Sequence, residues 1–188
     1  VFGLLAEKLL FYRQNGRLII STTPPVHYHS GVNKGASMYA HVNGMRIWYD
    51  QTGEQGSPVL LIMGFGMSSE AWGPQTVALE KHHQVLRLDN RGVGRSGAVH
   101  APYSLKDMAS DCLAIVDKQC LRDVHVVGVS MGGMIAQIVA AQYPDKTRSL
   151  ISIMSTTNAP HLPPPTTEAE MNLRNLATGE AQEDREQS

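Results

Sequence analysis

Val126-Val127-Gly128-Val129-Ser130-Met131-Gly132-Gly133 is an apolar, β-branched run that breaks at a serine and continues into Met134-Ile135-Ala136-Gln137-Ile138-Val139, a stretch suited to a helix. The pattern G-x-S-x-G between a strand and a helix puts the serine at the apex of a sharp turn, a nucleophile elbow. Gly128 and Gly132 flank the serine because such a turn brings the two backbones too close for side chains, and Gly133 lets the helix approach the sheet. The Ser130 hydroxyl is then exposed above the sheet edge, ready to attack a carbonyl. A phosphate-binding loop is the competing reading of a glycine-rich turn. At this turn both the Gly-Lys-Ser/Thr ending and the G-x-G-x-x-G spacing are missing.

At 188 residues, 42% hydrophobic and 18% charged, the chain has the composition of a soluble domain with one sizeable core. A net charge of −1 leaves no electrostatic footprint for nucleic acid. No apolar run reaches the roughly 20 residues of a membrane span, so no membrane association is expected. The apolar patches of Val1 to Phe11 are broken by Glu7 and Lys8 and do not read as a signal peptide. The first residue is not methionine, which points to a partial or processed chain. Cys112 and Cys120, eight apart, read as thiols buried on a helix. Nothing demands an oxidising compartment, and a cytoplasmic location is expected.

Residues 1–36 fit no clear element. The opening could form a short amphipathic helix, and Thr22 to Gly35 is rich in turn residues. His27 and His29 sit there without a third ligand in reach, so no metal site is expected. The regular pattern starts at Met38 and marks residues 37–158 as the core. Tyr39 to Val42 and Arg46 to Tyr49 flank Asn43-Gly44, a strong hairpin signal. Pro58 to Met63 reads as a strand buried on both faces, followed by Gly64-Phe65-Gly66 and a helix from about Ser69 to Lys81. Gln84 to Leu88 gives another strand. Ser104, with Asp107 three residues on, caps a helix running to about Gln119. The elbow strand (Val124 to Val129), its helix (to Tyr143) and a further buried strand (Ser149 to Met154) complete the core. Residues 159–188 read as a proline-rich loop, a short helix over Thr166 to Leu176, and a polar, acid-rich tail from Thr178 that is expected to be disordered.

Strands alternating with helices imply an α/β fold: a mostly parallel, doubly wound sheet with an antiparallel opening hairpin at one edge. Ligands bind such sheets at the carboxyl ends of the strands. Ser130, Gly64 to Gly66 and Asp89 to Ser96 all fall at such ends, so three separate segments should converge on one crevice.

Residues 38–165 resemble the α/β-hydrolase superfamily. The carriers are Leu60-Leu61-Ile62-Met63-Gly64-Phe65-Gly66, Asp89-Asn90-Arg91-Gly92-Val93-Gly94-Arg95-Ser96 and the elbow, in that order. Within it the chain is similar to enol-lactonases and polyketide methylesterases. The resemblance implies an eight-stranded sheet, a cap inserted after the sixth strand, and a Ser–acid–His triad in that chain order. It implies Ser130 as nucleophile and the backbone N–H groups of Phe65 and Met131 as the oxyanion hole. Many relatives carry His-Gly where Met63-Gly64 stands here, and the change leaves the backbone donor intact. Asp89 and Arg91 are expected to brace loops. No metal or organic cofactor is implied.

A serine needs a histidine to take its proton and a carboxylate to orient that histidine. The resemblance places both downstream of the cap, and the only histidine after Ser130 is His161, in the proline-rich loop. The chain therefore reads as the front part of a hydrolase of carboxylic esters or lactones, truncated after about the sixth strand. It is expected to be nearly inert by itself and to self-associate through an unpaired sheet edge. The competing readings are a non-catalytic binding protein on a degenerate hydrolase fold, and a cofactor-free haloperoxidase or perhydrolase using the same serine.

Overall fold

The computed structural model describes residues 10–14, 17–21, 38–157, 164 and 166–171. The expectations for His27, His29, His161 and the acid-rich tail fall outside the described residues. The chain divides into two compact units, Val1–Ser155 and Thr156–Ser188.

In the first unit, β1 (Leu10–Gln14) and β2 (Arg17–Ser21) pair antiparallel in a sheet of their own. This corrects the reading that residues 1–36 fit no clear element, while the first nine residues of the opening lie outside the described residues. The missed signal is Asn15-Gly16, the same dipeptide that turns the next hairpin, set between runs rich in aromatic and branched residues.

The main sheet has six strands in the order β3 (Met38–Val42), β4 (Met45–Thr52), β6 (Gln84–Leu88), β5 (Pro58–Ile62), β7 (Val124–Val129), β8 (Thr147–Ile153). β3, β4 and β6 run alternately antiparallel, and β6, β5, β7 and β8 are mutually parallel. Asn43 and Gly44 both take positive φ, 49° and 75°, as a tight hairpin turn requires.

Side chains alternate across the sheet. Leu60, Ile62, Leu86, Leu88 and Val126 face α2 (Leu105–Lys118) and α3 (Met131–Gln142), meeting Met108, Cys112, Ile115, Ile135 and Val139. Val59, Leu61, Met63, Val85 and Val127 face the other way, onto Trp72 and the short helix α1 (Gly73–Leu79). A 3₁₀ turn at Ser69–Trp72 precedes α1, because Pro74 at the start of the α-helix suits its first positions but not its interior. Ser104 and Asp107 form the anticipated capping box of α2.

Buried charges tie the parallel half to the hairpin. Asp50 on β4 lies opposite Arg87 on β6, and the guanidinium donates to both carboxylate oxygens at 2.7 Å. Arg91 donates to Asp111 of α2 at 2.7 and 2.9 Å, and Asn43 of the hairpin turn donates to the same carboxylate at 3.0 Å. The Asp111 hydrogen bond holds the Arg91 guanidinium above its ordinary value.

Two expectations need correction. β8, over Ser149 to Met154 the edge strand expected of an incomplete sheet, is not buried: among the described residues it pairs with β7 alone, and Leu150 and Ile151 are 40% and 48% exposed. Cys112 is buried on α2, but Cys120 lies past the helix end, exposed, at φ 54°. In the second unit the anticipated short helix covers residues 167–171, begun by Thr166, whose hydroxyl accepts from the Ala169 amide at 3.2 Å; the rest of its expected span lies outside the described residues.

At the amino ends of the parallel strands, His125 reaches Ser149 Oγ at 2.7 Å and Ser57 Oγ at 3.1 Å, and Ser57 Oγ also meets His83 Nδ1 at 3.1 Å. Burial, then Arg148 and His83, hold the His125 imidazole below its ordinary value, against a smaller opposing pull from Asp123. Its neutral form is therefore favoured in the fold. That stabilisation is complete above the ordinary imidazole value, about 6.5, and is lost as pH falls through the lower folded value. Urea midpoints measured from pH 7.5 down to 5 should fall for the parent and fall less for His125→Gln. Asp111→Ala strips a buried guanidinium of its partner and should cost about 3–5 kcal/mol in the same assay.

Candidate active site

From β5 the chain steps to β6 on one side and then crosses to β7 on the other. The loops leaving β5 and β7 therefore diverge and open a crevice at the carboxyl ends of the two central strands. Ser130 stands at the end of β7 with φ 55° and ψ −122°, a conformation that costs an L-residue about 1–3 kcal/mol. Surrounding backbone enforces it. The Ser130 amide donates to the Ile153 carbonyl at 2.8 Å, and the Ser130 carbonyl accepts from the Gly133 amide at 2.9 Å.

The glycines act by close approach. A Cβ on Gly128 would overlap the Gly132 carbonyl. One on Gly132 would overlap the Ile62 carbonyl and lie 2.7 Å from the Met63 oxygen. The elbow is thus pressed against the end of β5. The chain leaving β5 passes beside the serine: a Cβ on Gly64 would lie 3.2 Å from Ser130 Cβ and 3.7 Å from its Oγ. Phe65 comes next, its side chain 58% exposed. Met131 is the first residue of α3, where an amide has no acceptor within the helix. Among the described residues, neither the Phe65 nor the Met131 amide donates to a backbone acceptor.

The third segment, Asp89 to Ser96, is a brace. Asp89 is fully buried and accepts from the Ser69 amide and hydroxyl at 2.8 and 2.6 Å and from Arg95 Nε at 2.8 Å. Burial alone would raise its carboxyl; the hydrogen bonds from Arg95 and Ser69 together outweigh that and hold it below the ordinary value. The Arg95 guanidinium lies 3.2 Å from the centre of the Trp48 ring. Ser96 Oγ accepts from the Trp48 amide and donates to the Asp89 carbonyl. Gly92, Gly94 and Gly97 have the G-x-G-x-x-G spacing, but they lead into loop rather than opening a helix, so the context of a dinucleotide site is lacking.

Reading the residues passed over Asn90. It is 2% exposed, and its Nδ2 donates to the Met63 carbonyl at 2.9 Å. No local spacing announces a contact made between neighbouring strand ends. His83 and His125 sit at the opposite ends of the strands from Ser130, and among the described residues no imidazole touches its hydroxyl. Among the described residues no group of three His, Cys, Asp or Glu is arranged to hold a metal, and no helix is long and apolar enough to cross a membrane.

Known proteins share this arrangement. Residues 57–187 match the family described as the alpha/beta hydrolase fold. A putative carbamate hydrolase RutD of Azorhizobium caulinodans is 38% identical over 112 residues, which is 60% of this chain and 42% of that protein. Rhodomycin D methylesterase DnrP of Streptomyces peucetius is 35% identical over 111 residues, 55% of this chain and 37% of that one. The crystal structure of the enol-lactonase from Burkholderia xenovorans superposes with a TM-score of 0.57 and 34% identity, covering 58% of this chain and 44% of that one. The chain thus spans about two-fifths of the length of these curated relatives. With its elbow and its sheet order in place, the chain belongs to the α/β-hydrolase fold family.

Proposed function

We propose that the chain carries the nucleophile and oxyanion hole of a serine hydrolase acting on carboxylic esters or lactones. The observation that carries this reading is the strained Ser130, with its hydroxyl beside the chain that leaves β5. A purely structural turn has no use for a serine at φ 55° where glycine would sit without strain. Ser130 Oγ bonds to the acyl carbon, its proton passes to a histidine, and the carbonyl oxygen takes up the charge between the Phe65 and Met131 amides. Collapse of this intermediate expels the alcohol, which receives the proton, and leaves the acyl group on Ser130 for water to remove. The histidine and its carboxylate come from outside the described residues. The relatives named as a methylesterase and an enol-lactonase support the substrate class.

The outer edge of β8, unpaired among the described residues, supports a second element of the reading, self-association of this chain by strand addition. Sedimentation at tens of micromolar should show dimers or larger species, and a clean monomer would count against it.

Exposure to a fluorophosphonate should place one adduct per chain on Ser130, seen by peptide mass spectrometry, and none on Ser130→Ala. In the protein extended by the carboxy-terminal segment that carries the triad partners, Ser130→Ala should lose p-nitrophenyl ester hydrolysis; a rate equal to the parent's would mean that Ser130 is not the nucleophile. Phe65→Pro deletes one N–H donor and should cost about 3–4 kcal/mol of transition-state stabilisation, read as the loss in acylation rate.

A further inference from the structure

Two consecutive side chains grip the Phe65 segment at its two ends. The segment begins where the Met63 carbonyl accepts from Asn90 Nδ2 at 2.9 Å, and it ends where the Ser69 amide and hydroxyl both donate to Asp89 Oδ1. Asp89 and Asn90 directly follow β6, the parallel neighbour of β5, and their side chains are almost wholly buried. Between the two grips the segment has little to hold it. The backbone bond from the Met67 amide to the Gly64 carbonyl is long, 3.5 Å, and the Phe65 and Met67 side chains are exposed.

The Met63 carbonyl belongs to the peptide plane that carries the Gly64 amide, and the next peptide carries the Phe65 amide. Fixing the first plane limits the direction of the second. On its other side the Met63 oxygen faces the position where a Gly132 Cβ would lie, 2.7 Å away, so the elbow blocks movement that way. The Asn90 side-chain amide holds that oxygen at 2.9 Å.

We propose that Asn90 is a positioning residue for the Phe65 oxyanion donor: by holding the Met63 carbonyl, it aims the Phe65 N–H at the point where charge develops beside Ser130. The proposal rests on the reading of Phe65 as a donor. Asp89 anchors the far end of the segment and tolerates little change, so Asn90 is the informative position. Losing its grip leaves the donor present but misaimed, and a displacement near 1 Å costs roughly 100-fold in rate.

The test uses the chain as it stands, with Asn90→Leu and the isosteric Asn90→Asp, which puts a carboxylate where the carbonyl needs a donor. Leu113→Ala, in the core beneath α2, serves as a control for lost stability alone. The first measurement is the ¹⁵N order parameter of the Phe65 amide. It should fall from the rigid range near about 0.85 toward about 0.6 in the Asn90 variants, with β5 amides unchanged. The second is the rate of fluorophosphonate labelling at Ser130, in which an O–P bond forms and fluoride leaves. It should drop about 10- to 100-fold in the Asn90 variants and stay within about twofold in Leu113→Ala. An unchanged Phe65 amide in whichever Asn90 variant folds overturns the proposal, and so does loosening with unaltered labelling. A parent chain that does not label at all has a serine without an activating base, and the order parameter of the Phe65 amide then decides the proposal.

Discussion

The carbonyl oxygens of Ile62 and Met63 face Gly132 with no space for a side chain between, and Gly128 lies equally close to the Gly132 carbonyl. Three backbones, from β5, β7 and α3, therefore share one crowded point. The strand must end and the helix must start there, and the intervening residue has no room to relax. The strain at Ser130, about 1–3 kcal/mol, is affordable only because a packed domain has about 5–15 kcal/mol in hand. It is offset by the two flanking hydrogen bonds of the Ser130 backbone and by the burial of Ile135 and Val139 on the sheet.

Around this point the buried ions act as fasteners more than as sources of stability. A buried pair loses in desolvation much of what it gains by attraction, so replacing it with packed apolar groups can be neutral. Its direction is harder to replace. Arg87 with Asp50 sets the register of β4 against β6, and Asp111 joins the hairpin turn, α2 and the loop after β6 through Asn43 and Arg91. Asp89 does the same for the segment beside the elbow, accepting from Ser69 and Arg95 together. Apolar burial decides that the domain folds, and these contacts decide where its loops stop.

The central strands, the Ser104 cap and the elbow could be read from residue order because each rests on a local rule: an apolar run, a capping pair, a serine between glycines. Gln84–Leu88 and Val124–Val129 fall on the anticipated bounds for that reason. The opening hairpin was legible too, through Asn15-Gly16, but the mixed polarity of the stretch suggested no clear element. The edge position of β8 followed from the strand count, but the exposure of its side chains did not, since Leu150 and Ile151 look like core residues whatever covers them. Asn90 was hidden for a different reason. Its partner is a backbone carbonyl, which leaves no mark on the sequence at Met63.

The charges are distributed in a way that bears on chemistry. The ions beside the Phe65 segment, buried Asp89 and half-buried Arg95, are paired with each other, and among the described residues no charged side chain contacts Ser130. An anion forming beside that serine would meet amide dipoles and the amino end of α3, not a full positive charge. Such neutral donors interact weakly with an uncharged carbonyl and much more strongly with the tetrahedral oxygen. In the proposed ester hydrolysis they would favour the transition state over the bound ester and would not retain the carboxylate product as a cation would. Placement of the donors then matters more than their number, because dipole interactions fade quickly with angle and distance. A site of this kind depends on rigid backbone, and the jammed glycines and buried side-chain grips around Ser130 provide it.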